Sequence, residues 1–438
     1  MLPRLSYTGS SVRVTDAGGN EIPRKRPRSP EATNSDHRNG TTRRERRGTG
    51  APRSTAPVQE RAYLVGVDMR QPDTMSLDES MRELGRLVRT AGGTVVGTTT
   101  QRRARPAPAT FVGSGKIDEI VAARETTNYT MVVFDDALSP SQQLNVEQAL
   151  GVKVLDRSAL ILDIFASRAW TREATLQVEL AQHEYLLPRL RGQWQHLERT
   201  EGAIGARGPG ETQLETDRRL IGARITRLKS GIKTVKKQRA QQRARRERFG
   251  VPTVALVGYT NAGKSSLMRA LAGANVFAAD APFATLDPVT RRVGSGTAES
   301  FLLTDTVGFM QKLPTELVSA FRATLEELNT ADLLLHVVDA TSTAIAAQHA
   351  TVLRTLDDLG LSEVPMLTVL NKADGVVRTN GQPVAGEEDL DTLPLPELPG
   401  MNSECRYASA TAGWGIDALR IHLLYEFFGA TLEAQPVG

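Results

Sequence analysis

Gly258-Tyr259-Thr260-Asn261-Ala262-Gly263-Lys264-Ser265 follows the short apolar run Thr253-Val254-Ala255-Leu256-Val257 and leads into a helical stretch from Ser266 to Leu271. The pattern G-x-x-x-x-G-K-[ST], set between a strand and a helix, is a phosphate-binding loop. Its glycines let backbone N–H groups turn inward around phosphates, and the following helix N-terminus adds its dipole. Lys264 is the expected partner of the β- and γ-phosphates, and the Ser265 hydroxyl the expected ligand of Mg²⁺. This stretch makes the C-terminal part an α/β domain of the P-loop type.

Downstream motifs fall in a consistent order. Asp305-Thr306-Val307-Gly308 closes the apolar run Phe301-Leu302-Leu303, where an Asp can hold Mg²⁺ through water and a Gly can offer its N–H to a γ-phosphate. Phe283-Ala284-Thr285-Leu286-Asp287-Pro288 lies between, with Thr285 as the residue that closes on Mg²⁺ when triphosphate is bound. Leu367 to Leu370 reads as a buried strand ending in Asn371-Lys372-Ala373-Asp374. An Asp carboxylate accepts from both N1–H and the 2-amino group of guanine, whereas adenine offers no such pair and would leave it unpaired. Tyr407-Ala408-Ser409-Ala410 ends a further strand, from which a backbone N–H can reach the guanine carbonyl. Each motif follows a strand, so all gather at the carboxyl edge of one sheet, where open α/β folds bind ligands. The site binds GTP and GDP, and Lys264, Thr285, Gly308 and Asn261 are the expected catalytic set. Phe309 follows Gly308, where Ras-like GTPases carry a water-orienting Gln, so hydrolysis to GDP and phosphate must be organised in another way or is slow without a macromolecular partner.

The chain has 438 residues, which suits two or three domains. Its net charge is only +4, but the cations cluster in the first fifty-odd residues and again around Arg218 to Arg248, which suits phosphate-rich partners. Residues 1–58 are rich in Arg, Pro, Gly, Ser and Thr and poor in large apolar residues, the composition of a disordered basic tail. Residues 59–170 alternate strands with helices. Tyr63 to Val67, Thr94 to Val96, Met131 to Phe134 and Val152 to Leu155 read as strands; Leu77, Met81, Leu84, Leu87 and Val88 mark one helix, Ile117, Ile120 and Val121 a second, and Ser141 to Leu150 a third. The pattern predicts a small α/β domain with a largely parallel sheet.

Residues 171–249 carry two seams, Leu176-Leu180-His183-Leu187-Leu190 and Leu214-Ile221-Ile225-Leu228-Ile232-Val235. Gly202, Gly205, Gly208, Pro209 and Gly210 separate them, so a long antiparallel helical hairpin with a non-helical, glycine-rich tip is expected. The GTPase domain then spans 250–430, with an acidic, proline-rich surface loop from Val376 to Met401 and a last helix from Ile416 to Phe428, leaving 431–438 as a short tail. A lone Cys405 rules out an internal disulfide and reads as a packed thiol. The basic N-terminus lacks a signal-peptide core and no apolar run reaches membrane-span length, so a cytoplasmic monomer with at most peripheral membrane contact is expected.

The segments GYTNAGKS, FATLDP, DTVGF and NKAD together resemble the Obg–HflX group of translational GTPases. Val112-Gly113-Ser114-Gly115-Lys116, Leu138 to Gln143, Val154 to Phe165, Gln177 to Gln182, Tyr185 to Leu190 and Arg207 to Thr212 narrow the resemblance to the HflX family, over about residues 60 to 430. The resemblance implies a factor that binds the bacterial ribosome, chiefly the large subunit and its rRNA, and splits or rescues ribosomes under stress. Stimulation of the GTPase by ribosomes is expected. It also implies that the hairpin tip, with Arg199 and Arg207, reaches the peptidyl-transferase region. Asn261 stands where related GTPases use an Asn to help bind an activating K⁺; a loop-stabilising role is the plain alternative. Trp194 and a tip segment less glycine-rich than is usual (Thr200 to Ala206) depart from the family pattern. Two other readings stay open: an ATP-dependent rRNA remodeller acting through Gly113 to Lys116, and a non-catalytic, nucleotide-gated ribosome-binding module.

Overall fold

The computed structural model describes residues 59–69, 75–200, 209–247, 250–273, 282–283, 285–294, 299–312, 328–378, 381–399 and 405–432. The basic tail, the hairpin tip with Arg207, Ala284, residues 433–438 and the side chains of Trp194 and Arg199 lie outside the described residues.

The N-terminal domain is a four-stranded parallel sheet in the order β2-β1-β3-β4, made of β1 (Arg61–Asp68), β2 (Thr94–Arg102), β3 (Met131–Phe134) and β4 (Lys153–Asp156). β2 is longer than expected because it pairs with β1 along its whole length. Helices α1 (Leu77–Thr90), α2 (Ser114–Thr127) and α3 (Pro140–Leu150) connect the strands. Ser76 caps α1 through Glu79 N–H, and Ser139 with Gln142 forms a capping box on α3. Val121, expected on the buried face of α2, is exposed; Ile117 and Ile120 carry that contact.

Helix α4 (Arg157–Arg168) has no counterpart in the strand and helix readings above. Leu160, Ile161, Leu162, Ile164 and Phe165 are all buried and only a narrow face at Asp163, Ala166 and Ser167 is exposed, so the apolar residues run almost consecutively and blur the helical period. It lies at the centre of one apolar cluster that runs from Leu64 and Leu84, through Ile161 and Phe165, to Val257, Phe283 and Phe309 of the nucleotide domain. The two domains therefore share a core.

Helix α5 (Arg172–Thr200) packs along α6 (Pro209–Glu247) as the seams predict, with Leu180 and Leu228 buried. A second face was hidden behind that seam. Ala174, Val178, Ala181 and Tyr185 join the shared core, and Tyr185 donates to Asp156 at 2.8 Å, which fastens the hairpin base to the N-terminal domain. Pro209 and Gly210 belong to α6 rather than to the tip, since Pro is tolerated in a first helical turn. The cationic face of α6 is narrower than its sequence implies: Arg224 forks onto Glu179 at 2.7 and 2.9 Å, and Lys229 pairs with Glu184 at 2.8 Å.

The nucleotide domain is a six-stranded sheet in the order β10-β9-β8-β5-β7-β6. Its strands are β5 (Thr253–Gly258), β6 (Val289–Gly294), β7 (Ser300–Asp305), β8 (Leu333–Asp339), β9 (Met366–Asn371) and β10 (Cys405–Tyr407), with only β6 antiparallel. Helices α7 (Lys264–Ala272), α8 (Ile345–Asp358) and α9 (Ile416–Leu432) flank it. The segment after β9 is exposed over most of its described residues, as expected of a surface loop, but it carries a small packed cluster. A short 3-10 turn at Glu387–Thr392 lets Val384, Leu390 and Leu393 pack on Ala373. Burial pushes the Cys405 thiol up to about 11, as suits a packed cysteine.

Candidate functional site

Two glycines of the 258–265 loop are fixed by space. A Cβ at Gly258 (φ +151°) would stand 2.2 Å from the Val337 carbonyl, and one at Gly263 (φ +93°) 2.2 Å from the Asn371 amide. The loop folds over a cavity of about 540 Å³ walled by Thr260, Asn261, Lys264, Ser265, Thr285 and Gly308 at one end and by Asn371, Lys372 and Asp374 at the other. That volume lies within the range of small-molecule sites. Phe283, Gly263 and Thr306 also face it, whereas Gly258, Tyr259, Ala262, Leu286, Val307, Ala373 and Ala408 form the buried layer behind.

At the phosphate end, Lys264 Nζ donates to the carbonyls of Gly258 (3.1 Å) and Tyr259 (2.9 Å). Burial lowers its pKa to about 8, with Asp305 opposing the shift. Ser265 Oγ, Thr285 Oγ1 and Asp305 Oδ2 converge, at 2.6 Å for Ser265–Asp305, 2.7 Å for Ser265–Thr285 and 2.8 Å for Thr285–Asp305. Asp305 Oδ1 is buried without a hydrogen-bond partner, and burial pushes this carboxyl up despite nearby Lys264. An all-oxygen donor set with an unsatisfied buried carboxylate oxygen fits a hard divalent cation such as Mg²⁺.

At the base end, Asn371 acts as a staple. Its Nδ2 donates to the Ala262 carbonyl at 2.9 Å and its Oδ1 accepts from Ala410 N–H at 3.1 Å, so it binds three loops together. The Ala410 N–H can reach a guanine carbonyl only by sharing or releasing that bond. Ala408 and Ser409 N–H groups are committed to Leu370 and Trp414. Asp374 accepts from Ser409 Oγ at 2.5 Å, which orients its carboxylate, and Lys372 pairs with Asp339 at 2.7 Å.

Three placements differ from the motif reading. Asp287 does not face the cavity; it accepts from the backbone N–H of Trp170 (3.3 Å) and Thr171 (3.1 Å) and from the Thr171 hydroxyl at the start of α5. Phe283 stacks edge-on against Phe165 of α4 at 4.5 Å, and Arg168 donates to the Pro282 carbonyl at 2.7 Å. The 282–287 segment is thus tied to the hairpin base. Phe309 points into the shared core, 2% exposed, and contributes no polar group to the cavity. Thr341 and Thr411, which belong to no spaced motif, also line the cavity.

In the N-terminal domain, Gly113 to Lys116 is a helix start. Gly113 N–H donates to Gln101, and Lys116 is held by Glu119 (2.6 Å) and Thr99 (3.1 Å). A lysine so paired favours a structural turn over a phosphate site.

Family models match in chain order: "GTP-binding GTPase N-terminal" over residues 78–166, "GTP-binding GTPase Middle Region" over 168–246 and "50S ribosome-binding GTPase" over 253–372. The GTPase HflX of Alkalihalophilus pseudofirmus is 48% identical over 72% of this chain and 74% of its own length, and that of Escherichia coli 48% over 72% and 73%. The chain belongs to the HflX family of GTPases. A GTP-binding protein of Sulfolobus solfataricus, solved with GDP, is similar at 24% identity and a TM-score of 0.43 over 84% of this chain and 99% of that one. As an HflX-family member the protein is a GTP-binding GTPase, and no described helix is long and apolar enough to cross a membrane.

Proposed function

We propose that this HflX-family protein is a GTP-driven switch that engages the large ribosomal subunit through its helical hairpin and splits or rescues ribosomes under stress. The observation that carries the reading is the bond from Asp287 to the start of α5. Thr285, two residues away, lies at the cation and phosphate end of the cavity. A change in the γ-phosphate contact of Thr285 therefore pulls on a segment fastened to the hairpin. Exposed Arg218, Arg227, Lys233 and Lys237 on α6 supply charge for rRNA phosphates, and the matched "50S ribosome-binding" family description supports the choice of partner. The expected result is co-sedimentation of the monomeric protein with large subunits in a non-hydrolysable GTP analogue, weakened by GDP and by salt. No co-sedimentation in any nucleotide state would overturn the ribosome reading.

In the site, Ser265, Thr285 and Asp305 are the residues that would hold Mg²⁺, the first two through their hydroxyls and Asp305 through water, while Lys264 and Gly308 N–H would meet the γ-phosphate. Mg²⁺, when bound, neutralises charge on the β- and γ-oxygens. Asn261 sits at φ +61°, and its side chain makes no hydrogen bond with a described residue, so its amide oxygen is open to a monovalent cation. Hydrolysis is expected to run several-fold faster in K⁺ than in Na⁺ buffer, and equal rates would assign Asn261 to loop geometry alone.

A further inference from the structure

A second cleft, about 180 Å³, lies between α1 of the N-terminal domain and the 258–265 loop. Thr260 and Asn261 form the wall it shares with the nucleotide cavity. Across from that wall stand Arg82 and Arg86, one turn apart on a single face of α1. Every acid lining the cleft is already engaged. Glu83 holds Arg157 at 2.7 Å, Asp339 holds Lys372 at 2.7 Å, and Glu79 accepts from Thr343. The two guanidiniums, by contrast, have no hydrogen bond or ion pair with a described residue, unlike Arg61, Arg157, Arg168 and Arg189. α1 itself is held rigidly, since Ser80 donates to Asp135 at 2.7 Å and Leu84, Leu87 and Val88 are buried.

We propose that Arg82 and Arg86 complete the hydrolytic site in cis, placing guanidinium charge on the γ-phosphate across the Thr260–Asn261 edge. The inference rests on the reading of the site as a GTP-hydrolysing centre. In the step, a water oxygen bonds to the γ-phosphorus while the bond to the β–γ bridging oxygen breaks. GDP leaves with that electron pair, and the water's protons go to inorganic phosphate and solvent. Negative charge grows on the bridging and γ-oxygens, and arginine charge aimed there stabilises the transition state more than bound GTP. Phe309, whose backbone bonds to Gly258 and Thr260 beside that edge, turns its side chain into the core and supplies nothing comparable.

The test uses the full chain in K⁺ buffer, with Arg82→Ala, Arg86→Ala and the double variant, and Arg89→Ala as the control, since Arg89 does not line the cleft. The double variant is expected to lower kcat about 10- to 100-fold, with KM and GDP affinity within about twofold. Its affinity for GDP with aluminium fluoride, a transition-state mimic, should fall by a similar factor, and Arg→Lys should restore part of both. Exposed side chains on an intact helix leave the melting temperature unchanged. If wild type hydrolyses GTP and the double variant matches it in kcat and in aluminium fluoride binding, the proposal is overturned. If wild type itself neither hydrolyses GTP nor binds the mimic, the reading beneath it fails instead.

Discussion

Replacing Arg157 with methionine should destabilise the N-terminal domain by about 3–5 kcal/mol, measured as a shift of its urea transition. Arg157 is 1% exposed and joins five groups: Asp135 at 2.6 Å, Glu83 at 2.7 Å, the Ser80 carbonyl and hydroxyl at 3.0 and 3.1 Å, and the Gln311 carbonyl at 3.5 Å. Methionine fills most of the space but leaves two buried carboxylates short of a cation, and that uncompensated charge dominates the cost. Lys312 remains on Asp135 at 2.6 Å, so Glu83 suffers more. The loss should depend on pH. Burial pushes the Asp135 carboxyl up, but Arg157 and Lys312 outweigh it and hold it below its ordinary value. A depressed carboxylate stabilises the fold above its unfolded pKa, and that contribution is lost as pH falls through the folded one. In the variant the carboxyl rises and takes up its proton at milder acidity. The gap between the two proteins is therefore widest near neutrality and closes as pH drops past about 4. A pH-independent gap, or one below about 1 kcal/mol, would show that the pair contributes little.

Arg157 also marks where the sequence stops being legible. The nucleotide loop could be read because its chemistry forces residue types at fixed spacing: Gly263 must be small beneath Asn371, and Lys264 must precede a hydroxyl. Strand β3 could be read because it is short and wholly apolar, and β1 because its middle, Tyr63 to Val67, is an unbroken run without charge. Helix α4 could not, because all but the narrow face of Asp163, Ala166 and Ser167 is buried, and a nearly continuous apolar run blurs the period that marks a helix. The second face of α5 was concealed for a related reason. Ala174, Val178 and Ala181 are offset by two residues from the seam that meets α6, and small residues in a helix look neutral until a partner helix is placed against them. The Asp287 bond to Thr171 spans more than a hundred residues, and no local pattern announces it. Motif order gave the chemistry of the cavity; the coupling of that cavity to the hairpin is a property of tertiary packing.

The largest effect on binding is expected from Asp374→Asn, which should weaken GTP about 10³-fold or more and make the xanthine nucleotide the better ligand. Asp374 faces the cavity, and its Oδ1 accepts from Ser409 Oγ at 2.5 Å, which leaves Oδ2 with Oδ1's second lone pair to receive N1–H and the 2-amino group of guanine. In the variant, the Ser409 O–H holds the amide with its oxygen in place of Oδ1 and its NH₂ in place of Oδ2. That NH₂ meets the 2-amino group of guanine donor to donor, with both desolvated. Xanthine carries a carbonyl at that position and accepts from it, while its N1–H still finds the amide oxygen. Removing the hydroxyl in Asp374→Asn/Ser409→Ala frees the amide to rotate, so part of the xanthine preference should disappear. Equilibrium binding of fluorescent GDP and XDP to the single and double variants measures both effects. Retained guanine affinity in Asp374→Asn would move base recognition away from this carboxylate and towards the backbone of Ala410 and its neighbours, whereas a xanthine preference indifferent to Ser409 would remove only the orienting role of that hydroxyl.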